Sequence, residues 1–357
     1  MWPDTPVARL FQVAVPIVLA PMAGEASTPA LAAAVSNGGG LGSLGAAYSS
    51  PDAIRQMIRA TRALTDKPFA INLFVIDPVT ADPAKVTAAR AVLEPWRARY
   101  GVADDVPGLA LPDLDVQLQA IIEERPAGFS FAFGALSPDR IAALKQAGII
   151  VVGTATTVPE AIRLEADGVD AIAAQGAEAG AHRGSFLDAF ENSMVGTMAL
   201  VPAIVDRVKV PVIAAGGIMD GRGIAAALML GAAGVQLGTA FLTCPECGAS
   251  EAWKGALLAQ KADATQVTRA FSGRPARGIR NRFMAEIGAR QAELPGFPAL
   301  NSLTRGIRGA AAKAGDAEAL SLWAGQGAPL ARRLPAGELL RTLIDETSRR
   351  LDEGFQG

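Results

Sequence analysis

One histidine, two cysteines and two tyrosines are all that 357 residues contain of those types. A lone imidazole, His182, cannot build a metal centre by itself. The cysteines form a single Cys-x-x-Cys, Cys244 and Cys247, which is a redox pair or half of a zinc site. A structural zinc takes four ligands, and the chain offers two thiols and one distant imidazole. The pair therefore reads as two ordinary reduced cysteines, fitting a reducing compartment and a cytoplasmic location.

Charge is also scarce. Charged residues make up 19% of the chain and the net charge is −2, with a pI of about 5.7. No long like-charge run occurs, so neither the balance nor its distribution suits nucleic acid. No G-x-G-x-x-G follows the first strand, no P-loop is present, and no G-x-S-x-G elbow supports a Ser-His-Asp triad. Asp4, Pro6, Arg9 and Gln12 interrupt the start, which does not read as a signal peptide. Residues 223–242 are apolar enough to imitate a membrane span by length. Gly231, Gly234, Gln236 and Gly238 make them a helix, a glycine stop and a buried strand instead. The expectation is a protein with no membrane and no nucleic-acid partner.

What the chain does have is apolar material, 50% of its residues, and 38 glycines. One phrase recurs: an Ala-rich helix, a glycine, then a β-prone run, as in AALKQAGIIVVGT (142–154), AIRLEADGVDAIAAQG (161–176) and AAALMLGAAGVQLGT (226–239). Strands are expected at 17–22, 41–44, 69–75, 129–133, 149–153, 169–174, 211–215 and 234–238. Their continuous apolar runs suit a parallel sheet covered on both faces. Eight such units predict an α/β fold, a TIM (β/α)8 barrel, with a doubly wound open sheet as the alternative. Residues 1–242 are read as the barrel core, with an enlarged connection at 77–126 holding helices over 83–100 and 113–125. Residues 243–330 are read as a smaller, mostly helical cap. Residues 331–357 bring a last helix, 337–351, back onto the barrel wall.

The stretch Gln175 to Ser185, QGAEAGAHRGS, follows the apolar run Val169 to Ala174 and holds His182. A glycine-rich polar loop with one imidazole just after a buried strand is where an α/β enzyme places chemistry. Gln175, Glu178 and Arg183 beside it strengthen that reading. The seventh and eighth strands end in the glycine turns PVIAAGGIMDGRG (211–223) and GVQLGTAF (234–241). Loops at these two positions often hold a phosphate on backbone N–H groups, here those of Gly217, Gly238 and Thr239. The phosphate belongs to a substrate or to a cofactor such as FMN. Asn72 and Gln175, at two strand ends, carry carboxamides that match the alternating donors and acceptors of a flavin edge.

The chain resembles the nitronate monooxygenases, formerly 2-nitropropane dioxygenases, and most of all their class I members. The resemblance rests on APMAGEASTPALAAAVSNGGGLGSLG (20–45), NLF (72–74), QGAEAGAHRG (175–184), PVIAAGGI (211–218), QLGTAFL (236–242) and WAGQG (323–327). It implies a TIM barrel with a smaller second domain and non-covalent FMN. It places FMN contacts on Met22, Asn72, Gln175, Gly180, Gly217, Gln236, Leu237, Gly238 and Thr239, and the catalytic role on His182. It implies oxidation of an alkyl nitronate such as propionate 3-nitronate by O2, through a flavin semiquinone, in a monomer or homodimer. His182 then acts as a base toward a neutral nitroalkane or, protonated, as an anchor for the nitronate anion. One position departs from the family pattern: Gly-Gly usually precedes the histidine, and here it is Gly180-Ala181. Two alternatives share these motifs, an NAD(P)H-dependent FMN reductase of the enoyl-acyl-carrier-protein or quinone reductase type and a non-catalytic flavin-binding protein.

Overall fold

A computed structural model of the chain describes residues 2–24, 26–77, 79–106 and 108–352. Eleven strands occur among them: β1 (Ile17–Leu19), β2 (Gly42–Gly45), β3 (Phe69–Phe74), β4 (Gly128–Ala132), β5 (Ile150–Ala155), β6 (Ala171–Gln175), β7 (Ala181–His182), β8 (Val212–Ala215), β9 (Gly234–Leu237), β10 (Thr265–Thr268) and β11 (Ala276–Ile279). Eight of them form one parallel sheet in the order β1-β9-β8-β6-β5-β4-β3-β2. A parallel bridge between Val18 and Leu41 joins its two edges and closes the barrel. All eight expected strands are present, with ends shifted by a few residues; β1 stops at Leu19, because Pro21 follows.

Between strands, helix ends are set by local chemistry. The helix Val158–Asp167 starts where Thr157 Oγ1 accepts the Glu160 N–H and ends at Gly168, whose φ of 100° is left-handed and would strain any side chain. This is the physical content of the recurring glycine.

Two apolar cores result. One lies between the strands and the surrounding helices. The other fills the barrel with Val18, Ala70, Val152, Ala173 and Ile213, and it includes Val7 and Phe11. These last two come from an unexpected helix, Pro6–Phe11, which plugs the N-terminal end. A Cβ at Gly128, the first residue of β4, would lie 2.8 Å from the Phe11 ring, so glycine there makes room for the plug.

The enlarged connection after β3 holds two helices, Pro83–Tyr100 and Leu114–Glu124. The second packs on the barrel helix Pro51–Arg62, whereas the first packs on Ala299–Ala314, beyond the barrel. The region 243–330 contains helices Glu251–Leu258, Arg282–Gly288 and Ala299–Ala314. The helical expectation for it needs one correction: β10 and β11 form an antiparallel hairpin there, and β11 also pairs with β7. That three-stranded sheet ties the region to the loop after β6. The last helix, Ala336–Asp352, packs between Pro29–Asn37 and Gly221–Met229, the helices after the first and seventh barrel strands. It therefore occupies the place of the eighth barrel helix. Among the described residues no helix is long and apolar enough to cross a membrane.

Candidate active site

One cavity opens at the C-terminal ends of the barrel strands. The sequence-selected residues Met22, Asn72, Gln175, Gly180 and His182 line it, as do Gly217, Gln236, Gly238 and Thr239. Leu237 is the exception, because its side chain is buried in the core between strands and helices. Strand alternation explains this: Gln236 and Leu237 point to opposite faces.

The loop carrying His182 is held from several sides. Gln175 Nε2 donates to the His182 carbonyl at 3.0 Å, and Gln175 Oε1 accepts the Gly184 N–H at 2.8 Å. Buried Arg183 donates to the carbonyls of Gln175, Thr156 and Ser193. Glu178 accepts from the Thr197 N–H and hydroxyl, and its carbonyl accepts the Gln326 N–H. The WAGQG segment is thereby pinned against the loop, and Gly325 N–H reaches Thr239 Oγ1 at 3.0 Å. A Cβ on Gly180 would stand 2.6 Å from the Ala324 backbone, so this contact needs glycine. The polar neighbours of His182 thus act first as supports for the loop.

His182 sits in an aromatic box. Its ring centroid is 5.6 Å from Trp323, 5.7 Å from Phe133 and Phe297, and 6.3 Å from Phe74. Phe133 has a φ of 80°, a strained conformation for a bulky residue, and Arg274 lies 4.0 Å over its ring. The half-buried imidazole faces the cavity. This burial, reinforced by the positive charges of Arg274 and Arg308, pushes its pKa down to about 3. At neutral pH the ring carries no charge.

Its tautomer follows from a neighbour 90 residues away. His182 Nε2 is 2.8 Å from Ser272 Oγ. The Ser272 hydroxyl donates to the Arg274 carbonyl at 3.1 Å and accepts the Arg274 N–H at 3.3 Å. With its proton used, Ser272 accepts from the imidazole; Nε2 carries the hydrogen and Nδ1 keeps its lone pair. Ser272, Arg274, Phe133, Phe297, Trp323, Tyr48 and Arg308 complete the site beyond the nine lining residues chosen from sequence. The polar turn SGRP (272–275) is the visible trace of the first two, but nothing in its spacing points to a histidine so distant.

A phosphorylated flavin fits the polar groups present. Gly216 and Gly217, which line the cavity, turn with φ of 116° and 71°. The N–H groups of Gly217, Ile218 and Gly238 donate to no other described residue. Trp253 lines the same cavity, and its Nε1 has no partner among the described residues. Such orphaned donors are costly unless a ligand satisfies them. Asn72 Nδ2 is used by Ser130 Oγ at 2.9 Å, which orients its carboxamide.

Cys244 and Cys247 are buried in the core and are not among the residues that line the cavity. Burial, with Glu246 nearby, raises the Cys244 thiol to about 12, and burial raises Cys247 as well. No group of three or more His, Cys, Asp or Glu is placed to hold a metal among the described residues.

Comparison with known proteins agrees with this geometry. The profile of the family described as nitronate monooxygenase matches residues 6–346. A nitronate monooxygenase from Pseudomonas aeruginosa is 48% identical over 343 residues, covering 95% of this chain and 97% of the relative. The crystal structure of a nitroalkane oxidase from Streptomyces ansochromogenes superposes with a TM-score of 0.91 at 41% identity, covering 98% of this chain and all of the other. FabK from Thermotoga maritima is more distant, with a TM-score of 0.78 and 31% identity over 98% of each chain. A closed eight-stranded barrel, a cavity at its C-terminal mouth and full-length similarity to these enzymes lead to one conclusion: the chain belongs to the flavin-dependent nitronate monooxygenase family.

Proposed function

We propose that the chain is an FMN-dependent monooxygenase of alkyl nitronates, with propionate 3-nitronate as substrate, His182 as catalytic residue and O2 as oxidant. The observation that carries this reading is one cavity lined at once by glycine turns with free N–H groups, by the carboxamides of Asn72, Gln175 and Gln236 and by an uncharged imidazole in an aromatic box.

In this reading the Gly217 and Gly238–Thr239 turns would hold the FMN phosphate. Met22, Asn72, Gln175, Gly180 and Gln236 line the ring and its side chain. Leu237 would contribute only backbone. Bound FMN would supply the redox chemistry, as electron acceptor for the nitronate and electron donor for O2. The chain does the rest. The aromatic box excludes water and strengthens each charge interaction inside it. Positive Arg274 and Arg308 favour an anion over a neutral molecule. A nitronate is already deprotonated and needs no base. A neutral nitroalkane does, and Nδ1 of His182 is the free lone pair that can take its α-proton. The resulting imidazolium and nitronate would stabilise each other in a poorly screened site, offsetting the low basicity of the free ring.

An anaerobic absorbance titration tests the reading. The purified protein should be yellow and release FMN on denaturation. Propionate 3-nitronate should bleach it in the absence of O2, and air should restore the colour. Bleaching by NADPH with no response to the nitronate would favour the reductase alternative, for which FabK is the structural neighbour.

A further inference from the structure

The helix after β5, Val158–Asp167, opens with Thr157, Val158, Pro159 and Glu160, the spacing of a capping box. In such a box the threonine takes the glutamate N–H, and the glutamate side chain closes on the threonine N–H. Thr157 does its half. The Glu160 carboxylate goes elsewhere. It is fully buried, and four donors from outside the helix converge on it. Oε2 accepts the N–H and the hydroxyl of Thr156, both at 2.6 Å. Oε1 accepts the N–H groups of Phe186 and Leu187, at 2.6 and 3.2 Å. Its charge also supports the guanidinium groups of buried Arg183 and half-buried Arg274. Burying a carboxylate is costly, so bonds that could have been left to the helix cap and to water mark a place that needs one.

That place is the strap of chain running directly out of His182. The Arg183 N–H donates to the Pro275 carbonyl at 3.0 Å, and the Gly184 N–H to Gln175 Oε1 at 2.8 Å. Glu160 takes the N–H groups of Phe186 and Leu187. Between them, the Ser185 carbonyl accepts from Arg274 Nη2 at 2.6 Å. The backbone of that same Arg274 holds both sides of the Ser272 hydroxyl, which lies 2.8 Å from His182 Nε2. Its guanidinium also covers Phe133, a wall of the aromatic box. Neither Glu160 nor Thr156 lines the cavity, so Glu160 acts on the site only through other residues.

Building on the reading of His182 as base toward neutral nitroalkanes, we infer that Glu160 is a positioning residue for that imidazole. Its carboxylate fixes the strap at residues 186 and 187. Through Ser185, Arg274 and Ser272 this keeps the hydrogen on Nε2 and the lone pair on Nδ1. An amide of the same shape cannot replace it. A carboxylate is acceptor-only, whereas glutamine would turn an NH2 toward N–H donors at one of the two ends and leave them unpaired.

The test uses the flavin-loaded full chain as wild type, Glu160→Gln, Glu160→Asp and Thr156→Val. Flavin content and thermal midpoint show whether each variant folds. The 15N resonances of the only histidine report its tautomer without turnover. Glu160→Gln should give a mixture of tautomers. Its kcat for nitroethane should fall about 3–10-fold, less than the roughly 10²-fold that a 1 Å misplacement can cost. Its KM for the nitronate of nitroethane should stay near the wild-type value, and Glu160→Asp, which keeps the charge, should recover part of the kcat. A folded Glu160→Gln with wild-type tautomer and wild-type kcat would overturn the inference, and so would equal losses on both substrate forms with an unchanged tautomer. If Glu160→Gln fails to fold, Thr156→Val, which removes one of the four donors and keeps the carboxylate, decides. A shifted tautomer there upholds the inference, and unchanged resonances overturn it. An altered tautomer with unchanged nitroethane turnover would uphold the positioning role and sink the base reading of His182 instead.

Discussion

His182 Nε2 stands 2.8 Å from Ser272 Oγ, and the serine's own proton is committed to the Arg274 carbonyl. One hydroxyl from the region after the barrel thereby decides which nitrogen of the imidazole is basic. Ser272→Ala leaves the Nε2–H without an acceptor in a buried site, a loss of about 1–3 kcal/mol. The ring is then free to change tautomer. Because His182 is the only histidine, its ring nitrogens give one set of 15N resonances, which read the tautomer directly. In the wild type they should report a hydrogen on Nε2. In Ser272→Ala they should report a mixture, kcat for neutral nitroalkanes should fall roughly tenfold, and KM for nitronates should barely move. An Nδ1–H tautomer in the wild type would contradict the assignment.

The lowered pKa of His182 has consequences for stability and for rate. The unfolded chain binds a proton at this imidazole as pH drops through about 6.5. The folded chain refuses it until about pH 3. The stability due to the neutral ring is thus complete above about pH 6.5 and declines below it, at ~1.4 kcal/mol per pH unit. In urea denaturation between pH 6.5 and 4, the wild type should lose stability faster than His182→Gln. Identical slopes would mean that the folded ring is charged or solvated. In turnover, kcat/KM for a neutral nitroalkane should show no enzyme ionisation near 6.5. His182→Asn should lower it roughly 10²–10⁴-fold, with a much smaller effect on nitronates. The lowered pKa favours the base role over the cationic anchor, and the same pH profiles decide between them.

Ala181 has a φ of 59°, in the left-handed region, while pairing with Arg277 across β7 and β11. An L-residue in that region is strained by roughly 1–2 kcal/mol, partly offset by the greater unfolded-state entropy of glycine. Ala181→Gly should therefore raise stability by about 0.5–1 kcal/mol in chemical denaturation with flavin content unchanged. A destabilised variant would show that the methyl packs to more advantage than the strain costs.

Cys244 is fully buried, and both thiols are pushed away from the reactive thiolate form. A chromogenic disulfide reagent should leave the native protein untouched and its activity intact, and should titrate both thiols once the chain unfolds. Rapid modification of the native form would show the Cys-x-x-Cys to be accessible.

The sequence alone determined the barrel and the address of the site. Each βα unit is specified locally: apolar β-prone runs set the strands, and glycines such as Gly168 stop the helices where a left-handed residue is needed. A barrel then brings the strand ends together by topology, so Met22, Asn72, Gln175, His182 and the two glycine turns meet although up to 217 positions separate them. The tertiary structure decided what no local pattern encodes. The plug helix Pro6–Phe11 is short and opens among polar residues, and only the gap at Gly128 shows where it goes. The β10–β11 hairpin is defined by its partner β7, a two-residue strand inside what reads as a loop. Gln175, Glu178 and Arg183 look like chemistry in sequence and serve as loop supports in space. The charge of His182 and its tautomer depend on desolvation and on contacts such as that with Ser272, 90 positions away, and those exist only once the region after the barrel has folded back over its mouth.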